Sequence, residues 1–175
     1  MDMMEHNGEM YKRQGKLWSD MDGLVVCEIL QGELNAKYVQ KMDLSKLSIR
    51  EVIQQGDKFK NSGSLGYALR FYEYAAENGN NRELASILPR MTSCYRKQGR
   101  PQKAIDILEY ASKKYGKEMI GPVLLTSAAA AYCDLREYEK ARKCCARAFA
   151  ALNGEESREL SAVYGRLQKE SGEKK

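Results

Sequence analysis

An internal repeat constrains the fold of this chain more than any other feature. Three segments align without gaps: Gly56-x-x-Phe59-x-x-x-Gly63-x-x-x-x-Ala68-x-x-x-Tyr72-x-x-Ala75, Thr92-x-x-Tyr95-x-x-x-Gly99-x-x-x-x-Ala104-x-x-x-Leu108-x-x-Ala111, and Ala129-x-x-Tyr132-x-x-x-Arg136-x-x-x-x-Ala141-x-x-x-Cys145-x-x-Ala148. Small, aromatic, turn, small, bulky and small positions recur in a fixed order. Self-similarity at such a period marks stacked units, each unable to bury its apolar face without its neighbours.

The order describes two antiparallel helices joined by a tight turn. Gly63 and Gly99 fall where the first helix must end, and glycine tolerates the left-handed backbone that closes a helix. Ala68, Ala104 and Ala141 stand near the start of the second helix, where a methyl side chain lets two helix axes approach. Ala75, Ala111 and Ala148 lie two turns further along the same face. Phe59, Tyr95 and Tyr132 set a ring against these small residues, and large against small is how helix layers interdigitate. An all-α superhelix of stacked helix pairs is the expected fold class, with units over residues 49–82, 85–118 and 122–155.

In these residues the chain resembles the tetratricopeptide repeat family over about residues 49–155. Tyr95-Arg-Lys-Gln-Gly-Arg-Pro-Gln-Lys-Ala and Tyr132-Cys-Asp-Leu-Arg-Glu-Tyr-Glu-Lys-Ala carry the resemblance most clearly. The departures are spacings of 36 residues from Ala68 to Ala104 and 37 from Ala104 to Ala141, with extra residues near Glu83-Leu84 and Met119-Gly121, and Arg136 at a glycine position. The resemblance implies a solenoid whose first helices line a concave groove holding a peptide or helix from a partner. Chaperone-binding members hold a terminal carboxylate with a Lys/Asn/Lys/Arg clamp. Only Arg90 fills one of its places here, so chaperone binding is not expected.

The two ends read less regularly. Tyr11-Lys-Arg-Gln-Gly15-Lys matches Tyr95-Arg-Lys-Gln-Gly99-Arg, which suggests a degenerate helix pair over residues 5–31, although Asp20 falls where Ala104 sits; the alternative is an unrelated N-terminal helical cap with a chance match. A short helix over Glu33–Met42 follows, and residues 1–48 as a whole are expected to be a helical segment, part degenerate repeat and part insertion. Ser45 and Ser48 are candidate N-caps for the first clear unit. Leu160, Val163, Tyr164 and Leu167 make one apolar stripe at i, i+3, i+4 and i+7, so residues 156–170 read as a capping helix that seals the array. Its alternative role is a docking surface for a second copy. Residues 171–175 read as a disordered tail.

Composition narrows the function by exclusion. Residues 49–121 hold 13 basic against 8 acidic groups, but the net charge of the chain is only +5, with carboxylates interspersed throughout, which is not a nucleic-acid signature. No apolar run reaches the roughly 18 residues of a membrane span, the longest being Leu124–Cys133, and no signal peptide is evident. Five cysteines without a Cys-x-x-Cys pair read as reduced thiols packed in a cytoplasmic protein rather than as disulfides or metal ligands. The single histidine, His6, lies far from any nucleophile partner, and no phosphate loop, dinucleotide fingerprint or calcium loop occurs. Glu73 and Glu77 read as solvated surface charge. No enzyme, metal or cofactor is therefore expected.

Helical spacing then nominates the groove. With Val52, Gly56 and Phe59 and their equivalents turned inward, the groove-facing residues are Gln54, Asp57, Lys60 and Asn61 in the first unit, Arg90, Ser93, Arg96 and Lys97 in the second, and Ser127, Ala130 and Asp134 in the third. Lys60, Arg90, Arg96 and Lys97 would make its centre basic and suited to carboxylates on an acidic or C-terminal peptide; the same charges could equally serve only to solubilise the face. The leading expectation is a scaffold or adaptor that binds another protein. Two others stand beside it: a helical repeat binding single-stranded RNA, disfavoured by the charge balance and by aromatics committed to packing, and self-assembly as a homodimer through the N-terminal segment or the final helix.

Overall fold

The computed structural model describes residues 2–15, 17–116 and 120–172. From residue 28 onward the described chain is helical: α1 (Glu28–Lys41), a single 3-10 turn (Leu44–Lys46), α2 (Ile49–Asn61), α3 (Leu65–Asn78), α4 (Asn81–Lys97), α5 (Pro101–Tyr115), α6 (Pro122–Asp134), α7 (Tyr138–Leu152) and α8 (Arg158–Glu170). Helices α2/α3, α4/α5 and α6/α7 pack as successive pairs, and α8 covers the last of them.

The turns within the pairs are identical in construction. Gly63, Gly99 and Arg136 take φ of 82°, 70° and 60°. Each sits in a two-bond cap: Gly63 N–H donates to Lys60 O and Ser64 N–H to Phe59 O, Gly99 N–H to Arg96 O and Arg100 N–H to Tyr95 O, Arg136 N–H to Cys133 O and Glu137 N–H to Tyr132 O. That is the Schellman arrangement, in which a left-handed residue satisfies carbonyls the helix has left unpaired. Arg136 adopts the same backbone without glycine's freedom, a conformation that disfavours a Cβ by about 1–2 kcal/mol.

The aligned small residues do what their spacing predicts. Ala68, Ala104, Ala141, Ala75, Ala111 and Ala148 are all buried. Closest of all is Gly56, where an added Cβ would lie 2.6 Å from Cε1 of Tyr72. At the corresponding place in the later units Thr92 and Ala129 align with Leu108 and Cys145, so glycine accompanies the bulkiest of the three partners. The first unit opens on Ser48, whose hydroxyl accepts from Glu51 N–H while the Glu51 carboxylate accepts from Ser48 N–H. Of the two candidate serines, Ser48 is the cap, and Ser45 instead lies in the 3-10 turn, bonded to Asp43.

The N-terminus corrects the sequence reading. Instead of a helix pair over residues 5–31, it forms an antiparallel sheet of β1 (Asp2–His6), β2 (Glu9–Gln14) and β3 (Leu17–Ser19) in the order β1-β2-β3. The all-α expectation holds for the array and fails here. The reason is local: Asn7 and Gly8 take φ of 54° and 85°, the two-residue turn whose twist matches paired strands. Met4, Tyr11 and Trp18 alternate onto one face and bury with Leu34 of α1, which begins five residues earlier than the helix expected at Glu33. Tyr11–Gln14 of the first hexapeptide thus lie in a strand, whereas Tyr95–Lys97 of its twin end a helix; Lys16 falls outside the described residues, as do 117–119 at the end of the second unit and 173–175 of the expected tail.

This N-terminal module is joined to the array by packing. Val39 and Leu44 enter one core with Val52, Phe59, Phe71 and Tyr72. Arg13 lays its guanidinium over the Tyr38 ring at 4.5 Å and within 5.8 Å of the Phe59 ring, and Arg70 Nη1 donates to Val39 O at 2.9 Å.

Candidate interaction surface

The first helices α2, α4 and α6 touch in sequence, and α8 continues the row against α6. Together they form the face on which a stack of helix pairs becomes concave. A cleft of about 390 Å³ crosses this row, lined by Lys60 of α2, Ser86, Arg90 and Ser93 of α4, Ser127 of α6 and Glu159 of α8, with Pro89 in its wall. Proline has no N–H, so the carbonyl of Ala85 one turn earlier loses its helical donor at a position lining the same cleft.

The charges nominated from sequence largely pair with one another. Arg90 Nε and Nη2 donate to Asp57 Oδ1 and Oδ2 at 2.9 and 3.3 Å, joining α4 to α2. Arg96 Nε donates to Asp134 Oδ2 at 2.7 Å, joining α4 to α6, and Arg166 Nη1 donates to Asp134 Oδ1 at 2.6 Å, joining α8 to α6. A ladder of ion pairs therefore runs along the concave face and fixes each first helix against the next. The Arg90–Asp57 and Arg96–Asp134 pairs are about a quarter to a third exposed, so each contributes well under about 1 kcal/mol, but their two-point contacts specify register.

The carboxyls record these contacts. Burial alone would raise Asp57, but hydrogen bonds from the Arg90 guanidinium and the Tyr72 hydroxyl outweigh it and hold the group below its ordinary value. Asp134 behaves alike, with Arg96 and Arg166 overcoming burial. Tyr72, desolvated and donating to Asp57 Oδ1 at 2.6 Å, is pushed upward and stays a hydrogen-bond donor throughout the neutral range.

Several nominated residues thus change roles. Of the expected basic centre of Lys60, Arg90, Arg96 and Lys97, Arg90 and Arg96 pair within the chain, with Asp57 and Asp134. Lys60 and Lys97 make no ion pair among the described residues, and Gln54 and Asn61 are exposed as expected. Ala130 is 3% exposed and Ser127 6%, so Ala130 is a core residue and Ser127 reaches the cleft only at its floor. Helix α6 contacts α4, α5, α7 and α8, and everything from Leu124 to Cys133 is buried. A helix apolar on all sides is a buried one, a signal present in the sequence run itself. Sequence reasoning also missed Arg166 and Glu159, which come into view once α8 is treated as a further first helix, and Pro89, whose place inside a helical pattern was the available clue.

Ser93, Arg96, Lys97 and Asp134 border a second, more open hollow beside the first, so the polar surface extends along the row. Among the described residues there is no group of His, Cys, Asp and Glu that could hold a metal ion, and no helix is long and apolar enough to cross a membrane.

No protein-family model and no curated protein matches the sequence. Solved structures do match. The crystal structure of the Sgt2 TPR domain from Aspergillus fumigatus superposes with a TM-score of 0.62 at 15% identity, covering 71% of this chain and 80% of that one. A chain in the cryo-EM structure of the Sec complex from S. cerevisiae, in a class without Sec62, superposes with a TM-score of 0.52 at 19% identity over 93% of this chain and 97% of that one. With its three Schellman turns, its buried alanine ladder and this likeness, the chain has the fold of a tetratricopeptide repeat domain.

Proposed function

We propose that this protein is a non-catalytic interaction scaffold of the cytoplasm, which receives an extended or helical segment of an acidic protein partner on the concave face of α2, α4, α6 and α8. The observation that carries the reading is the cleft itself. It crosses all four helices and offers hydroxyls at Ser86, Ser93 and Ser127 and the carbonyl of Ala85, groups suited to a peptide backbone. Lys60, Arg90, Arg96, Lys97 and Arg166 meet Asp57, Asp134, Glu159 and Glu170 there, so the face keeps a positive surplus of one. The cations left to meet a ligand are Lys60 and Lys97.

This division of labour dictates the test. Titration against an acidic peptide library should show binding that Lys60→Glu and Lys97→Glu each weaken, by roughly tenfold for a charge-assisted contact, with helicity and melting temperature unchanged. Arg90→Glu and Arg96→Glu should also lower the melting temperature, since they break the ladder. Unaltered affinity in both lysine variants would reject the reading, and a salt-dependent shift of single-stranded RNA in place of peptide binding would replace it.

A further inference from the structure

The exposed apolar side chains are not spread evenly. Met3, Met10, Leu17, Met21, Leu24 and Val25, each at least 42% exposed, crowd into the N-terminal module. Strand pairing sorts them. Met4 opposite Tyr11 and Arg13 opposite Trp18 define the face turned to α1, so Met3, Met10 and Leu17, paired with Lys12, Glu5 and Gln14, stand on the other face.

The two edges of this sheet differ in backbone accounting. At the β3 edge the chain satisfies itself: the Gln31 side chain accepts from Trp18 N–H at 2.8 Å and donates to Trp18 O at 2.7 Å, and Val26 N–H donates to Trp18 O. At the β1 edge nothing does so. A two-residue hairpin makes His6 and Glu9 a hydrogen-bonded pair, and alternation then turns the N–H and C=O of Asp2, Met4 and His6 toward β2 and those of Met3 and Glu5 outward. No described group meets those outward groups. An open edge of this kind is a template for another strand.

We propose that β1 is a dimerisation edge, pairing antiparallel with β1 of a second copy about a twofold axis at Met4, so that two three-stranded sheets become one of six. The occupant is argued from self-complementarity. With the axis at Met4 the outward groups match in register: Met3 exchanges two hydrogen bonds with Glu5 of the second copy, and Glu5 two with Met3. Placing the axis at Glu5 would set two like carboxylates opposite each other, and placing it at Met3 would leave Glu5 beyond the strand start. The Met4 axis also brings Asp2 opposite His6, whose Nδ1 is buried without a hydrogen-bond partner among the described residues, and sets the two Met4 side chains together above the Leu34 cores. The dimer would carry two concave faces, which raises avidity for a repeated or dimeric partner. It stands independently of what those faces bind.

Sedimentation over a wide concentration range tests it on the intact chain. The wild type should move from monomer to dimer. Glu5→Pro removes an outward N–H that β2 does not use, and should give a monomer with unchanged helicity and melting. Met3 is an exposed lever on register: Met3→Lys, opposite Glu5, should tighten the dimer and Met3→Glu should loosen it, each by roughly two- to thirtyfold over the two symmetric pairs. A monomer at every concentration, a dimer indifferent to Glu5→Pro, or equal responses to the two Met3 variants would overturn the proposal.

Discussion

Replacing Gly56 by alanine would place a Cβ 2.6 Å from Cε1 and 2.9 Å from Cδ1 of Tyr72, far inside van der Waals contact. In an exposed helix the same change would stabilise by about 1 kcal/mol, because alanine has the better helix propensity. Whether the clash wins depends on whether the ring can move. It is fully buried, its hydroxyl is held by Asp57 at 2.6 Å, and Asp57 is clamped in turn by Arg90. Overpacking against a fixed side chain costs about 1–3 kcal/mol, with the upper half of that range fitting a ring so held. The net effect is a loss of about 1–2 kcal/mol, or roughly 2–8 °C in melting temperature for a chain of this size. Urea denaturation followed by helical circular dichroism reads the change, and the second unit suggests the control, because it carries Leu108 where the first carries Tyr72. In a Tyr72→Leu background the clash is gone, and Gly56→Ala should stabilise by up to about 1 kcal/mol, a coupling of about 2–3 kcal/mol between the two sites. The reasoning fails if alanine at position 56 raises the melting temperature of the otherwise native chain, or if its cost is the same in both backgrounds.

Three further outcomes follow from the same structure. Arg136→Gly should raise stability by about 0.5–1 kcal/mol, since it relieves a left-handed backbone at the one turn of the three that lacks glycine, and thermal melting checks it. Asp57 and Asp134 have folded-state values below the unfolded one of about 3.9, so their stabilisation is complete above that pH and is lost as pH falls through the folded values; an acid titration of the melting temperature should show this drop, and Asp57→Asn/Asp134→Asn should shrink it. Burial pushes the Cys145 thiol up to about 11, with Cys133 and Cys144 adding, and raises Cys94, Cys133 and Cys144 as well. A thiol reagent near pH 8 should therefore find Cys27 alone in the folded protein and all five in urea.

The array was legible in sequence because its information is periodic and local. Glycine at a left-handed turn and alanine at a close approach are demanded by backbone geometry, so Gly63, Gly99, Ala68, Ala104 and Ala141 announce the fold at a distance. The N-terminus was misread because a six-residue likeness to Tyr95–Arg100 outweighed Asn7-Gly8, although that dipeptide between Met4, His6 and Tyr11 is the stronger physical signal for a hairpin. The candidate surface was half legible. Spacing on a helix tells which side chains share a face, and it placed Lys60, Arg90, Ser93 and Lys97 together. It does not tell the register of one helix against the next, and it is that register that joins Arg90 to Asp57 and sets Asp134 between Arg96 and Arg166. Ala130 was misplaced for a related reason: α8 completes the enclosure of α6, and a neighbour beyond the repeat is invisible to a pattern read within it.

Amide chemical shifts recorded as an acidic peptide is titrated into the full chain read out, residue by residue, which wall of the array meets a partner. Perturbations should concentrate at Lys60, Ser86, Ser93, Lys97 and Ser127, leaving α3, α5 and α7 largely silent. Shifts confined to those second helices, or to the N-terminal sheet, would place binding on a different surface and contradict a concave binding face.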